Sequence, residues 1–276
     1  NMTGRLGEDD LHDEVMRGIR TAMDEVKPDA WLVAENGDFV ASDLNGFGWH
    51  GAMNYQGFMR PLWNWINQNS SIGGGFQGLP FEMPKIGGKS LVASMVQFSS
   101  SIPWRSLVAS MVLLDSHDTA RMRTVVNGDK KAHLSAVTAM LTYPGVPSIF
   151  AGDEIGLEGS WGEDSRRTIN WEDRSGWDHE FLAEVKKLVH LRRNHDGLIE
   201  GGLRWVAVED NFICYLRESE KQSLLVFISR KAVRTEIDLA DYGYKVSKTL
   251  YGPEATGGSI KIDAEYATQG IWEVKG

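Results

Sequence analysis

Three short apolar runs that end among acidic residues constrain this chain more than anything else in it. Trp31-Leu32-Val33-Ala34 stops at Glu35, and Ser110-Met111-Val112-Leu113-Leu114-Asp115 runs into Ser116-His117-Asp118. The third, Val146-Pro147-Ser148-Ile149-Phe150, leads to Gly152-Asp153-Glu154. Runs of this length without alternation suit strands covered on both faces, the habit of parallel sheets. Segments with helical spacing lie between them. Leu11, Val15, Ile19, Ala22, Met23 and Val26 recur on one face, with Asp9 and Asp10 as candidate caps and Pro28 as the stop. Helices are likewise expected over 61–66, 90–100, 129–141 and 178–193, and Ala52-Met53-Asn54-Tyr55 reads as a further short strand. Strands alternating with helices predict an α/β fold around a parallel sheet.

The stretch 70–88, with Gly73-Gly74-Gly75 and two prolines, is expected to be a long loop. Ser-Leu-Val-Ala-Ser-Met-Val occurs twice, at 90–96 and 106–112. The flanks share nothing, so the copies are not a structural repeat, and the first should be helical while the second runs into a strand. Beyond Gly201 the texture changes. Runs at 212–216, 223–228, 235–239 and 271–274 are strand-like and separated by turn residues, which predicts an antiparallel β-domain. The expected division is therefore 1–200 and 201–276.

Composition excludes several functions. A net charge of −9 disfavours nucleic acid and anionic membrane surfaces, both of which reward clustered Lys and Arg. No apolar run is long enough to span a bilayer. Cys214 is the only cysteine, so neither an internal disulfide nor a cysteine-built metal site can form, and a cytoplasmic setting is expected. The histidines at 12, 133, 179, 190 and 195 lack ligand spacing, so no metal centre is expected.

Side chains just past the C-terminal ends of parallel strands converge where barrel enzymes build their sites. Glu35 follows an apolar strand, a setting that disfavours a charged carboxylate, and a carboxyl group that stays protonated can donate to a leaving oxygen. A second carboxyl, ionised, can then attack or stabilise an oxocarbenium-like transition state. Asp153 and Glu154 are better read as loop architecture, bonding backbone amides.

Longer stretches around these residues carry a family likeness. Trp31-Leu32-Val33-Ala34-Glu35 resembles the motif on the fifth barrel strand of the α-amylase family of glycoside hydrolases. Leu113-Leu114-Asp115-Ser116-His117-Asp118-Thr119-Ala120-Arg121 resembles its seventh-strand motif. Asn54-Tyr55 is similar to the sixth-strand region, and Pro144-Gly145-Val146-Pro147 through Gly152-Asp153-Glu154-Ile155-Gly156 to the eighth. The neopullulanase, cyclomaltodextrinase and α-glucosidase branch is the nearest in pattern. The likeness implies the second half of a (β/α)8 barrel followed by a β-sandwich. It also implies retaining hydrolysis of α-linked glucose oligo- and polysaccharides, with Glu35 as acid/base and Asp118 stabilising the transition state. His117 would then bind the sugar. Read from the residues alone, Arg166 could contact substrate or equally pair with Glu163, and Trp49 could stack on a sugar or pack against the barrel mouth. No organic cofactor is implied, and calcium stays open.

The family's nucleophile is an aspartate in a Gly-Phe/Trp-Arg-x-Asp type motif, which this sequence lacks. Asn1-Met2-Thr3-Gly4-Arg5 resembles the family's segment directly after that motif. The chain is thus expected to hold the barrel's fifth to eighth strands without the nucleophile, to be inactive alone, and to pair with a second copy through open sheet edges. The competing expectation is a non-catalytic sugar-binding or assembly module derived from the same fold.

Overall fold

The computed structural model describes residues 5–6, 9–37, 40–44, 46–68, 83–160 and 162–276. The chain divides into two compact units. One comprises Asn1–Pro61, Ala93–Leu113 and Gly145–Ser148, the other Leu62–Val92, Leu114–Pro144 and Ile149–Gly276.

The first unit opens on two short antiparallel strands, β1 (Arg5–Leu6) and β2 (Asp9–Asp10). Asp9 and Asp10 are therefore not helix caps, because their backbone is engaged in pairing. Helix α1 (His12–Val26) begins after Leu11 without any side-chain cap. Strand β3 (Val33–Ala34) pairs in parallel with β4 (Gly51–Ala52). Helix α2 (Arg60–Ile66) falls mostly in the second unit, α3 (Gly88–Ser100) is divided between the two, and α4 (Trp104–Val108) belongs to the first. Strand β5 (Met111–Leu113) then bridges in parallel to Met53 and pairs in parallel with β6 (Val146–Ser148). Four strands thus lie side by side in chain order, all pointing the same way.

Tight contacts fix this ladder. A Cβ on Gly51 would stand 2.3 Å from the carbonyl oxygen of Ala109, so only glycine lets the two chains approach. The Ser110 hydroxyl donates to Ser106 O at 2.7 Å and accepts from Ala52 N at 3.1 Å. Met16, Ala34, Ala52, Phe58, Leu107, Val112 and Leu113 are among the buried side chains of this unit.

The repeated heptapeptide behaves as two different structures. Residues 90–96 lie within α3, whereas 106–112 finish α4, turn, and enter β5. Most of the stretch expected to be a loop, 69–82, lies outside the described residues.

The second unit holds α5 (Met122–Val125), α6 (Lys130–Thr142), α7 (His179–Arg193) and α8 (Asp196–Ile199). Asp129 caps α6 by accepting from Lys131 N and Ala132 N, and Asp178 caps α7 by accepting from Phe181 N. Seven strands complete the unit: β7 (Gly202–Glu209), β8 (Phe212–Glu218), β9 (Ser223–Ser229), β10 (Val233–Asp238), β11 (Lys245–Tyr251), β12 (Ser259–Ala264) and β13 (Gln269–Lys275). They form an antiparallel five-stranded sheet in the order β11-β13-β9-β8-β7 and a separate β10-β12 pair. Cys214, Leu216, Leu225, Phe227 and Trp272 of the larger sheet share one core with Ile237, Ile260 and Ile262 of the pair.

Helix α6 is buried from Ala132 to Thr142 and is tied to the larger sheet through polar groups. Ser135 Oγ donates to Gln269 Oε1 at 3.2 Å, Thr142 Oγ1 and Tyr215 OH share a 2.5 Å bond, and Arg217 donates to Thr142 O. Among the described residues, no helix is long and apolar enough to cross a membrane.

Candidate active site

In the first unit Glu35 directly follows Ala34, at the C-terminal end of β3, with an exposed side chain. The apolar setting expected for its carboxyl is absent from the described residues. Residues 35–37, 40–44 and 46–50 lie on the return to β4. Their base is closed by two bonds, from His50 N to Leu32 O and from Leu32 N to His50 Nδ1, both 2.9 Å. Burial, with the Arg20 charge, holds His50 below its ordinary value, which keeps Nδ1 free to accept. Arg20 Nη1 also donates to Gly48 O at 3.0 Å, anchoring the stretch that carries half-buried Trp49.

The second unit carries His117, Asp118 and Arg166, and the fold brings the three together across 48 residues of sequence. Beyond Leu114 the chain makes a tight polar turn, in which Ser116 N donates to Thr119 Oγ1 and Asp118 N to Ser116 Oγ. Arg166 ends a 3-10 turn, Gly162–Arg166. Its Nη2 donates to Asp118 Oδ1 at 2.9 Å and its Nε to His117 O at 3.0 Å. Glu163 is farther, at 3.8 Å, and Arg167 pairs with Asp164. The His117 ring stands 3.5 Å from Asp118 Oδ1. These groups are partly exposed, so the Arg166–Asp118 pair contributes about 0–1 kcal/mol to stability and orients more than it stabilises. Beside them opens a cleft of about 440 Å³, bordered by His117, Arg121, Phe150, Arg166 and Trp171 among others.

Beneath this exposed layer lies a buried one in which Asp153, expected to bond backbone amides, instead meets the Arg121 guanidinium, because burial favours a cationic partner. The Arg121 guanidinium is enclosed and makes three bonds: Nε to Ser165 O at 2.8 Å, Nη1 to Asp153 Oδ1 at 2.7 Å and Nη2 to Ala151 O at 3.1 Å. It also covers the Phe150 ring at 4.0 Å. Asp115 Oδ2 accepts from Met122 N at 2.6 Å, while its buried Oδ1 meets no donor. Burial raises Asp115, and burial with the neighbouring Asp115 charge raises Asp153 still further. Arg121 fixes the backbone next to Arg166, and Ser165 Oγ adds a 3.2 Å bond to His117 O. Arg121 closes the seventh-strand-like motif, but its partners lie 30–44 residues on, so only folding reveals this role. Glu154 accepts from Gly152 N at 2.8 Å, so it braces its own turn.

Among the described residues, no group of three or more His, Cys, Asp or Glu side chains has a metal-holding arrangement.

Known proteins are similar to this chain. A cyclomaltodextrinase of a Bacillus species is 31% identical over 216 residues, 77% of this chain and 36% of that protein. An intracellular maltogenic amylase of Bacillus subtilis is 28% identical over 226 residues, 81% of this chain and 36% of that protein. The chain therefore spans little more than a third of either relative. The solved structure of a debranching enzyme from Nostoc punctiforme superposes with a TM-score of 0.82 at 23% identity, covering 94% of this chain and 55% of that one. At that identity the match speaks for the fold alone. The catalytic-domain pattern of the α-amylases matches residues 8–180, and with it the chain belongs to the α-amylase family.

Proposed function

We propose that the chain is part of a retaining glycoside hydrolase acting on α-linked glucose oligo- and polysaccharides. The observation that carries this reading is the His117–Asp118–Arg166 cluster beside an open cleft, in a chain whose relatives are named for work on maltodextrins. Glu35 would protonate the leaving oxygen and later take a proton from water. Asp118, held by Arg166, would stabilise positive charge on the sugar ring, and His117 would hold its hydroxyls. Trp49 would contact substrate from the loop after Glu35. Residues 1–200 would form the second half of a (β/α)8 barrel and 201–276 a β-sandwich, in a cytoplasmic protein. The parallel order of β3 to β6 and the core shared by the two antiparallel sheets support that architecture.

The 276 residues contain no Gly-Phe/Trp-Arg-x-Asp type motif, so a covalent glycosyl intermediate has no candidate nucleophile among them. Tested alone, the chain should bind maltoheptaose, seen by calorimetry, and release no reducing sugar. Steady turnover with retained anomeric configuration would refute the missing nucleophile; failure to bind would refute the whole reading. Two copies of the chain would also pair through the edges at β3 and β6.

A further inference from the structure

Trp171 leaves more than half of its surface, 58%, exposed. Its position is nonetheless fixed. Asn170 Oδ1 accepts from Glu172 N at 3.2 Å and Asp173 N at 3.0 Å, which locks the turn around the residue. Arg174 Nε donates to Trp171 O at 3.2 Å. The Trp177 ring meets the Trp171 ring edge-on, with centroids 5.5 Å apart at 83°. Trp177 is in turn faced by Arg174 at 4.9 Å. Among the described residues no ring stacks on the Trp171 face. An indole so buttressed loses little freedom on binding a ligand, since its ordering is already complete.

The ring also borders the cleft that contains His117, Arg121 and Arg166. The cleft thus sets an indole beside the partly exposed polar groups of His117 and Arg166, while the enclosed Arg121 keeps its donors for the protein. A pyranose has the matching chemistry, with C–H groups on its ring face and hydroxyls around the rim. A simple apolar ligand would leave His117 and Arg166 uncovered, and a simple anion would leave the indole uncovered.

We propose that Trp171 is a stacking platform for a glucosyl unit of an α-glucan chain, a binding position additional to the contacts of His117, Arg166 and Trp49. The inference rests on the α-glucan reading of the cleft, and its test separates the two.

Maltoheptaose binding to the 276-residue chain and its Trp171 variants is measured by calorimetry. Trp171→Ala should weaken binding about tenfold or more, as removal of an anchoring aromatic does. Trp171→Tyr, which keeps a ring face, should recover most of that loss. Since the side chain is exposed, thermal melts of both variants should match the parent. Undiminished binding by Trp171→Ala overturns the platform and leaves the α-glucan reading standing. Equal losses in the Ala and Tyr variants overturn stacking as the mode. No binding by the unaltered chain overturns both readings.

Discussion

The partly exposed His117, Asp118 and Arg166 are held by residues that never reach the cleft with a free charge. Arg121 serves three acceptors at once, and removing it strands Asp153 in a buried site. Arg121→Met should lower the unfolding free energy measured in urea, by about 1–3 kcal/mol for each buried acceptor it leaves without a donor. The carboxyl partner imposes a pH dependence whose sign comes from its raised affinity for a proton. Asp153 binds its proton more tightly folded than unfolded, so its contribution is complete in acid and is lost as pH rises through the raised value. Asp153→Asn keeps an oxygen for Arg121 and an amide donor for Asp115 but cannot ionise. The stability of the variant relative to the parent should therefore improve as pH is raised, in melts followed by circular dichroism. A constant difference across pH would show that the buried carboxyl does not titrate with folding.

At the scale of elements, legibility tracks how completely each one is covered. Helices α6 and α7 are marked by their capping aspartates as well as by their apolar pattern, and both lie where expected. Asp129→Ala should lower stability by about 1 kcal/mol, read from the shift in urea midpoint at unchanged slope. The capping reading fails at Asp9 and Asp10, where a short antiparallel pair claims the backbone instead. Strands β8, β9 and β13 are buried almost throughout and announce themselves as apolar runs. Strands β7 and β11 form the outer edges of their sheet, where mixed polar and apolar residues dilute the signal, and the sequence does not reveal them. The two copies of Ser-Leu-Val-Ala-Ser-Met-Val make the same lesson local. Tertiary surroundings override propensity, so one heptapeptide becomes helix in α3 and helix, turn and strand at α4 and β5. For the candidate site, the motif singles out His117 and Asp118, and the structure sets the His117 ring 3.5 Å from Asp118 Oδ1. The Asp118–Arg166 partnership is not legible, because only folding closes a gap of 48 residues.

For the molecule as a whole, the strands at the ends of the parallel ladder decide its company. Among the described residues, β3 pairs only with β4 and β6 only with β5, and Val146 on β6 is 39% exposed. Unpaired strand edges without guarding charges recruit other strands. Light scattering at micromolar concentration should report a mass above that of one chain; a clean monomer with a cooperative melt would count against edge pairing. The attachment of α6 has a consequence of another kind. Its Ser135 and Thr142 hydroxyls and the Thr142 carbonyl are spoken for by Gln269, Tyr215 and Arg217, all from the antiparallel sheet. A polar seam of this kind cannot be traded like a greasy patch, because a new neighbour must offer the same donors and acceptors at the same places. The C-terminal strands are thus a poor module for grafting: whoever transplants them to another scaffold must carry α6 along.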